Sequence, residues 1–248
     1  MCGRSKCCIG LAAFHKDVLK QLNNISPGFF FQIIPEKHLP HPTHTRSLIV
    51  EAEFCVMIGS TSLKKGVIAM EGHNEAPKWE ARDEMLIIQS APKTDFWRLT
   101  QYGYTYDSGH FYYQRQAGDF LAEVKFHGAY NALYDQAGLM ARIDEANWVK
   151  CGIEFLDGVQ QVSAVVTREF SDWSLGIALP QDTDALWLRL KRQGAAIEIQ
   201  YSLDGMNYQL LRLAYLPTSE TLAIGPMCAS PTGEGFSTVF EDFRVQPA

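Results

Sequence analysis

The residues with the most chemical capacity lie on alternate positions of consecutive apolar segments. They combine an indole, an amide, an acid and two bases, and they are Gln136, Arg142, Trp148, Lys150 and Glu154. A flat indole stacks on the apolar face of a sugar ring, while amide and charged groups hydrogen-bond the hydroxyls. This combination predicts a groove that binds a small saccharide, with His110 and Arg168 nearby. The alternative is a solvated outer face on which the tryptophan is incidental.

The spacing of the charged residues favours binding over catalysis. Lys150 and Glu154 are four residues apart, so in a strand both point to the same face, about 13 Å from each other at ~3.3 Å per residue. That span suits one or two saccharide units better than a single reacting atom. A surface ion pair between Arg142 and Glu154, without any function, is another interpretation of the same charges.

Recognisable catalytic signatures are missing from the sequence. Retaining glycosidases hold two carboxyl groups about 5 Å apart. Glu154 and Asp157 do not fit, because three residues along a strand reverse the direction of the side chain. The sequence has no Gly-x-Ser-x-Gly elbow, no phosphate-binding loop and no His/Cys zinc pattern. We therefore favour a non-catalytic module without cofactor or metal. A hydrolase or lyase with scattered catalytic residues is a third hypothesis.

The elements that position these side chains are predicted to be short β-strands. Apolar and polar residues alternate with a period of two in the segments 118–128, 135–144, 147–157, 186–191 and 197–203. Asp-Gly or Gln-Gly pairs at 157–158, 193–194 and 204–205 are typical of tight hairpin turns. Many short strands joined by tight turns predict an all-β sandwich or barrel.

The same alternation predicts which side chains of segment 147–157 are buried. Val149, Cys151, Ile153 and Phe155 are expected in the core, while Lys150 and Glu154 face a cleft. A register slip of one residue would reverse this arrangement, so the burial pattern tests the prediction.

Several motifs after residue 70 occur together and in a fixed order. They are TDFW at 94–97, DQAGLMARID at 135–144, VVTR at 165–168, SDW at 171–173, IQYSLDG at 199–205, GPMCASP at 225–231 and FEDF at 240–243. Over residues 71–245 the chain resembles the family of unknown function named after the yeast regulator-of-enolase protein. That family is placed in the concanavalin A-like lectin/glucanase superfamily. A weaker similarity reaches the accessory β-sandwich of family 43 β-xylosidases.

The resemblance implies a jelly-roll β-sandwich of two curved antiparallel sheets, with any ligand on the concave sheet. The family has no agreed activity. The alternative to saccharide binding is therefore a protein-interaction or regulatory module acting on a metabolic enzyme such as enolase. Trp, Tyr and Arg are common in both kinds of binding site, so they do not separate the two. Shape discriminates between the two, because a groove with aromatic side chains favours sugars and a flat apolar patch favours a protein.

Composition divides the chain near residue 70. All five tryptophans and all ten tyrosines follow residue 78, and the net charge is +4 over residues 1–69 but −10 over residues 70–248. Aromatic side chains contribute much of the energy of a protein core. We therefore expect residues 70–248 to form the sandwich and to fold alone. Residues 1–69 are expected to be a poorly structured extension or the product of a wrongly assigned upstream start.

Charge and hydropathy also limit the classes of partner. Nucleic-acid binding needs a basic surface, and the main domain is acidic. No stretch approaches the ~18 consecutive apolar residues of a membrane span, and no secretory signal is recognisable. We expect a cytoplasmic protein with reduced cysteines.

Overall fold

All regular structure in the described part of the chain is β-strand. The computed structural model describes residues 70–248, so the predicted extension, residues 1–69, lies outside the described residues. The sixteen strands are β1 (Glu71–His73), β2 (Lys78–Arg82), β3 (Met85–Gln89), β4 (Phe96–Arg98), β5 (Thr105–Asp107), β6 (His110–Ala117), β7 (Phe120–Gly128), β8 (Gln136–Arg142), β9 (Asn147–Leu156), β10 (Val159–Arg168), β11 (Phe170–Ala178), β12 (Leu186–Gln193), β13 (Ala196–Ser202), β14 (Gln209–Tyr215), β15 (Thr221–Ala229) and β16 (Ser237–Pro247). Within this part of the chain, no helix has the length and apolar character to cross a membrane.

The strands form two large antiparallel sheets and one small one. The first sheet has the order β1-β6-β15-β8-β9-β10-β11, and the second has the order β14-β13-β12-β7-β16-β3-β2. Strands β4 and β5 pair with each other as a separate hairpin. The two large sheets pack face to face, which confirms the predicted β-sandwich.

The core lies between the inner faces of the two sheets. On β9, Val149, Cys151 and Ile153 are at most 3% exposed and belong to one cluster with residues of the second sheet. Phe155, at the end of that strand, is only half-buried and stacks on Tyr130. The predicted register of β9 is therefore correct, but the predicted burial of Phe155 is only partial.

A second apolar cluster lies on the opposite face of the first sheet. It contains Phe96, Phe111, Met140, Trp148, Val165, Ala223 and Met227. The hairpin of β4 and β5 contributes Phe96, whose ring meets Trp148 edge-on with the centroids 6.3 Å apart. Because the hairpin covers this part of the outer face, β9 is buried on both faces along much of its length.

Candidate functional site

A cleft of about 530 Å³ opens on the outer face of the first sheet, beside the β4–β5 hairpin. Aromatic side chains form its wall, and these are Trp97, Tyr102, Tyr104, Tyr106, Tyr134 and Trp173. Polar and charged side chains form its floor, and these are Asp95, Gln136, Lys150 and Glu154. An apolar wall above a polar floor is the arrangement with which proteins bind small polar molecules.

Lys150 is the centre of the floor. Its ammonium donates hydrogen bonds to the carbonyl oxygen of Phe96 (2.7 Å) and to Oε1 of Gln136, and it lies 3.6 Å from Oδ1 of Asp95. Oδ1 of Asp95 also accepts hydrogen bonds from Nε2 of Gln136 (3.1 Å) and from the amide of Phe96 (2.7 Å). Since a buried charge is tolerated only when it is paired and hydrogen-bonded, this network is what allows a buried lysine here.

A pair of glycines allows Lys150 to reach Gln136. Gly138 and Gly152 are opposite each other between β8 and β9, and Lys150 and Gln136 lie on either side of that pair. A Cβ atom at Gly152 would lie 2.0 Å from the carbonyl oxygen of Ala137, and one at Gly138 equally close to that of Cys151. The strands therefore approach more closely than any side chain permits, and the floor stays open between Lys150 and Gln136.

Glu154 forms the other end of the floor. Its Oε2 accepts hydrogen bonds from the hydroxyl of Ser163 (2.9 Å) and from the indole N–H of Trp173 (2.7 Å). Burial raises the pKa of Glu154, and the opposing effects of Lys150, Ser163 and Trp173 do not cancel that rise. A carboxyl with a raised pKa can hold a proton or accept hydrogen bonds from a ligand, and it is the group of this floor best suited to acid–base chemistry.

The aromatic wall is carried by the β4–β5 hairpin and the loop that connects its strands. Tyr102 and Tyr104 stack with ring centroids 5.3 Å apart and an interplanar angle of 7°, and Tyr106 meets Tyr104 edge-on at 4.7 Å. These three tyrosines are between 41% and 48% exposed. Trp97 packs against Tyr102, and Trp173 of β11 is 39% exposed. The wall thus presents ring faces and edges to whatever occupies the cleft.

Ion pairs fix the hairpin to the sheet. Arg142 binds Asp107 at the end of β5 with two hydrogen bonds of 2.6 and 2.8 Å, and His73 lies 3.3 Å from the same carboxylate. Burial alone would raise the pKa of Asp107, but the neighbouring His73 and the hydrogen bonds from Arg142 outweigh it and hold that pKa below its usual value. Arg98, at the end of β4, binds Glu145 and Glu169. These contacts hold the tyrosine wall over the floor.

The structure brings together three of the seven side chains predicted for the groove. Gln136, Lys150 and Glu154 share the floor of the cleft. Arg142 instead tethers the hairpin, and it is paired with Asp107 rather than with Glu154. Trp148 is only 1% exposed, because Phe96 covers its ring, and so it supports the hairpin from below instead of facing the cleft.

The other two predicted residues lie outside the lining of the cleft. The guanidinium of Arg168, at the end of β10, lies over the ring of Tyr215 with 5.3 Å to the centroid. His110 is 3% exposed, its Nε2 accepts a hydrogen bond from the amide of Ala91 (2.8 Å), and its Nδ1 lies 2.6 Å from the carbonyl oxygen of Asn74. Since Nε2 is the acceptor, Nδ1 carries the proton and donates a hydrogen bond to the carbonyl oxygen of Asn74. His110 is a neutral bridge between two segments.

The bridge made by His110 predicts an acid-sensitive fold. Burial lowers the pKa of His110 below its ordinary value of 6.5, although the hydrogen bond to Asn74 opposes the shift. The unfolded chain then binds a proton at this histidine at higher pH than the folded chain does. The stabilisation that neutral His110 provides is therefore fully present above pH 6.5 and is lost as pH falls through the pKa of the folded state. Urea unfolding of the wild type and of His110→Gln between pH about 7.5 and 5 measures this dependence. The wild type should lose more stability than the variant over this range, and equal losses would show that His110 does not titrate on unfolding.

The aromatic wall was not among the residues predicted for the site. Tyr102, Tyr104 and Tyr106 lie at every second position of the run QYGYTYD, a signal of three side chains on one face of a strand. The run is short and flanked by turns, so its alternation does not indicate which part of the protein these tyrosines pack against. Asp95 and Trp173 likewise reach the cleft only because the hairpin and β11 fold over the same sheet.

Acidic and metal-ligating side chains are too dispersed to form a metal site in the part of the chain described. No group of three or more His, Cys, Asp or Glu residues that could hold a metal ion occurs within residues 70–248. The two cysteines described, Cys151 and Cys228, are buried thiols, and burial raises the pKa of Cys151 to about 12. They belong to the core and not to the cleft.

Comparison with known proteins agrees with the resemblance inferred from the motifs. The Saccharomyces cerevisiae protein named Regulation of enolase protein 1 is 42% identical over 158 residues, which cover 64% of this chain and 79% of that protein. A crystal structure of a functionally unknown protein from Saccharomyces cerevisiae is 36% identical, with a TM-score of 0.69 and coverage of 72% of this chain and 96% of that one. A family 43 glycoside hydrolase protein of Bacillus licheniformis shares 15% identity and a TM-score of 0.54 over 67% of this chain and 34% of its own, a likeness of fold alone.

The model of one protein family matches most of the chain. The match covers residues 73–248 and includes every strand of the sandwich from β2 to β16, together with the cleft. The chain belongs to the family described as Protein of unknown function (DUF1349).

Proposed function

We propose that the protein is a carbohydrate-binding module that holds a small saccharide in the cleft between the tyrosine wall and the Lys150–Glu154 floor. The observation that carries the proposal is the combination of exposed aromatic rings with a fixed, buried polar network in one concave site. Ring faces of Tyr102, Tyr104 and Trp173 can pack on the C–H face of a sugar, and such aromatic groups often dominate recognition. The floor supplies the oriented polar groups that distinguish one sugar from another.

The charge of the cleft supports an uncharged ligand. Lys93 and Lys150 are balanced in the lining by Asp95 and Glu154. Lys150 is also held beside Asp95 by its own contacts, so among the described residues the floor offers an anion no unpaired cation. The volume of the cleft supports a small ligand, since sites of about 300–1,000 Å³ bury most of a molecule of drug-like size.

Calorimetric titration of the full chain with a panel of neutral monosaccharides and disaccharides tests the proposal. We expect at least one of them to bind, and Tyr104→Ala to weaken that binding by about tenfold or more, because a central aromatic contact contributes more than ~1 kcal/mol. The side chain of Tyr104 is 41% exposed, so its loss should leave the fold intact.

Tyr215→Ala is the matched control. Tyr215 is 55% exposed on β14 and lies outside the lining of the cleft, so this variant should bind as the wild type does. The proposal fails if no sugar of the panel binds, or if Tyr104→Ala and Tyr215→Ala bind equally well. Analysis of the same mixtures for shortened sugars separates binding from the third hypothesis, hydrolysis, because only hydrolysis changes the ligand.

A protein partner is the second candidate function. Two features support it: the name of the yeast relative, which is that of a regulator of enolase, and a set of exposed apolar side chains on edge strands β11 and β14. That set includes Phe170, Leu175, Leu210, Leu213 and Tyr215, each at least 44% exposed. Titration with purified enolase distinguishes the candidates, because a surface on β11 and β14 would bind independently of Tyr104.

A further inference from the structure

The nitrogen donors of the floor are largely used in contacts within the protein. The ammonium of Lys150 donates hydrogen bonds to the carbonyl oxygen of Phe96 and to Oε1 of Gln136, and its charge is balanced by Asp95, whose Oδ1 lies 3.6 Å away. The side-chain amide of Gln136 donates to Asp95 (3.1 Å) and to the carbonyl oxygen of Tyr134 (3.3 Å). An amide has two donors, so within residues 70–248 Gln136 has none left for a ligand, and the remaining N–H of Lys150 carries a charge that Asp95 already balances.

The indole donors of the wall are used in the same way. The N–H of Trp173 donates to Oε2 of Glu154, and that of Trp97 donates to the carbonyl oxygen of Thr100 (2.9 Å). Lys93, at the rim, donates to the carbonyl oxygen of Thr232 and is 62% exposed, so water screens its charge. The fixed nitrogen donors around the floor therefore have protein acceptors.

Two acceptors, in contrast, are left open. Oε2 of Glu154 takes both of the hydrogen bonds that this carboxylate receives, and Oδ1 of Asp95 takes both of those that the Asp95 carboxylate receives. Within residues 70–248 neither Oε1 of Glu154 nor Oδ2 of Asp95 has a hydrogen-bond donor, and neither is among the fully buried unpaired atoms. Each carboxylate is thus held by one oxygen and offers the other.

Resting on the saccharide-binding function, we propose that the cleft selects its ligand by hydrogen-bond donors: it binds a neutral sugar through hydroxyls that donate to Glu154 and Asp95, and it excludes acidic sugars. A sugar hydroxyl can donate as well as accept, and it therefore matches an open carboxylate oxygen. A uronic acid brings a third carboxylate into a partly desolvated site in which Lys150 is already paired with Asp95, so the new charge is repelled by Glu154. Both amide donors of Gln136 are used, and the charge of Lys150 is already balanced by Asp95, so neither residue compensates for it.

Paired titrations test the selectivity. The full chain is titrated with glucose against glucuronate and with galactose against galacturonate, at pH about 8, where an ordinary carboxylate is ionised. In each pair whose neutral member binds, we expect the acidic member to bind at least about tenfold more weakly, which corresponds to ~1.4 kcal/mol.

Glu154→Gln is the decisive variant because it replaces an open hydrogen-bond acceptor of known orientation with a donor. The atom that receives the N–H of Trp173 at 2.7 Å must remain an oxygen, so the amide nitrogen of the new glutamine faces the cleft. The open acceptor becomes a donor and one negative charge is removed, without a change of shape. The preference for the neutral sugar over its acid should fall by about tenfold or more, and the acid itself should bind more tightly than it binds the wild type.

Glu220→Gln is the control, since Glu220 is exposed and lies outside the cleft. This variant should prefer the neutral sugar over its acid as strongly as the wild type does. If uronates bind the wild type as tightly as the neutral sugars do, the proposed selectivity is wrong, and the proposed saccharide-binding function is still supported. A preference that Glu154→Gln leaves unchanged also contradicts the role of Glu154. If no neutral or acidic sugar binds the wild type, both the selectivity and the saccharide-binding function are wrong.

Discussion

Gly152→Ala should cost more than about 4 kcal/mol of folding free energy, a loss seen only for the most disruptive substitutions. A methyl group at this position would lie 2.0 Å from the carbonyl oxygen of Ala137 and 2.7 Å from the Cα of Gly138. Both obstacles are backbone atoms of β8, which pairs with β9 on one side and β15 on the other. The strands would have to separate in the middle of the sheet, which breaks ladder hydrogen bonds and also displaces Lys150 from Gln136.

Urea unfolding of the full chain measures this effect, with Gly72→Ala as the matched control. Gly72 is also in a strand of the first sheet, but the nearest atom to its added methyl group would be 3.7 Å away, in the ring of Tyr112. The control should stay within about 1 kcal/mol of the wild type. Since domains of this size have only about 5–15 kcal/mol of stability, Gly152→Ala should unfold at much lower urea. Equal midpoints for the two variants would mean that β8 and β9 can separate without loss.

Trp148→Ala should destabilise the fold by about 3–5 kcal/mol, the range for removing a buried aromatic side chain. Trp148 is 1% exposed and packs beneath Phe96, so its loss leaves a cavity under the hairpin that carries the tyrosine wall. Its indole N–H also donates to the carbonyl oxygen of Glu145 (3.1 Å). Thermal unfolding should show a clearly lower midpoint.

Trp173→Ala provides the contrast. Trp173 is 39% exposed in the wall of the cleft, so its removal should cost much less stability while it weakens sugar binding directly. The opposite result, a stable Trp148→Ala and an unfolded Trp173→Ala, would contradict the assignment of Trp148 to support and Trp173 to the ligand surface.

The architecture and the register of the main strands were predictable from the sequence, because both depend on local patterns. Alternation with a period of two assigns Val149, Cys151 and Ile153 to the core whichever strands become their neighbours. The same alternation places Lys150 and Glu154 together on the opposite face, where the structure has them. The predicted fold class and family were correct for the same reason, since strand and turn patterns follow the chain in order.

Which part of that opposite face is covered and which is open could not be predicted, because a distant segment decides it. Trp148 and Lys150 are two residues apart on β9, yet Phe96 buries the first and leaves the second beside a cleft. The hairpin that makes this difference lies about fifty residues earlier in the chain, and ion pairs such as Arg142–Asp107 hold it in place. The sequence by itself thus determined the sandwich and the face that bears the site. Only the tertiary structure decided which side chains form the site, since burial on that face depends on contacts between segments far apart in the chain.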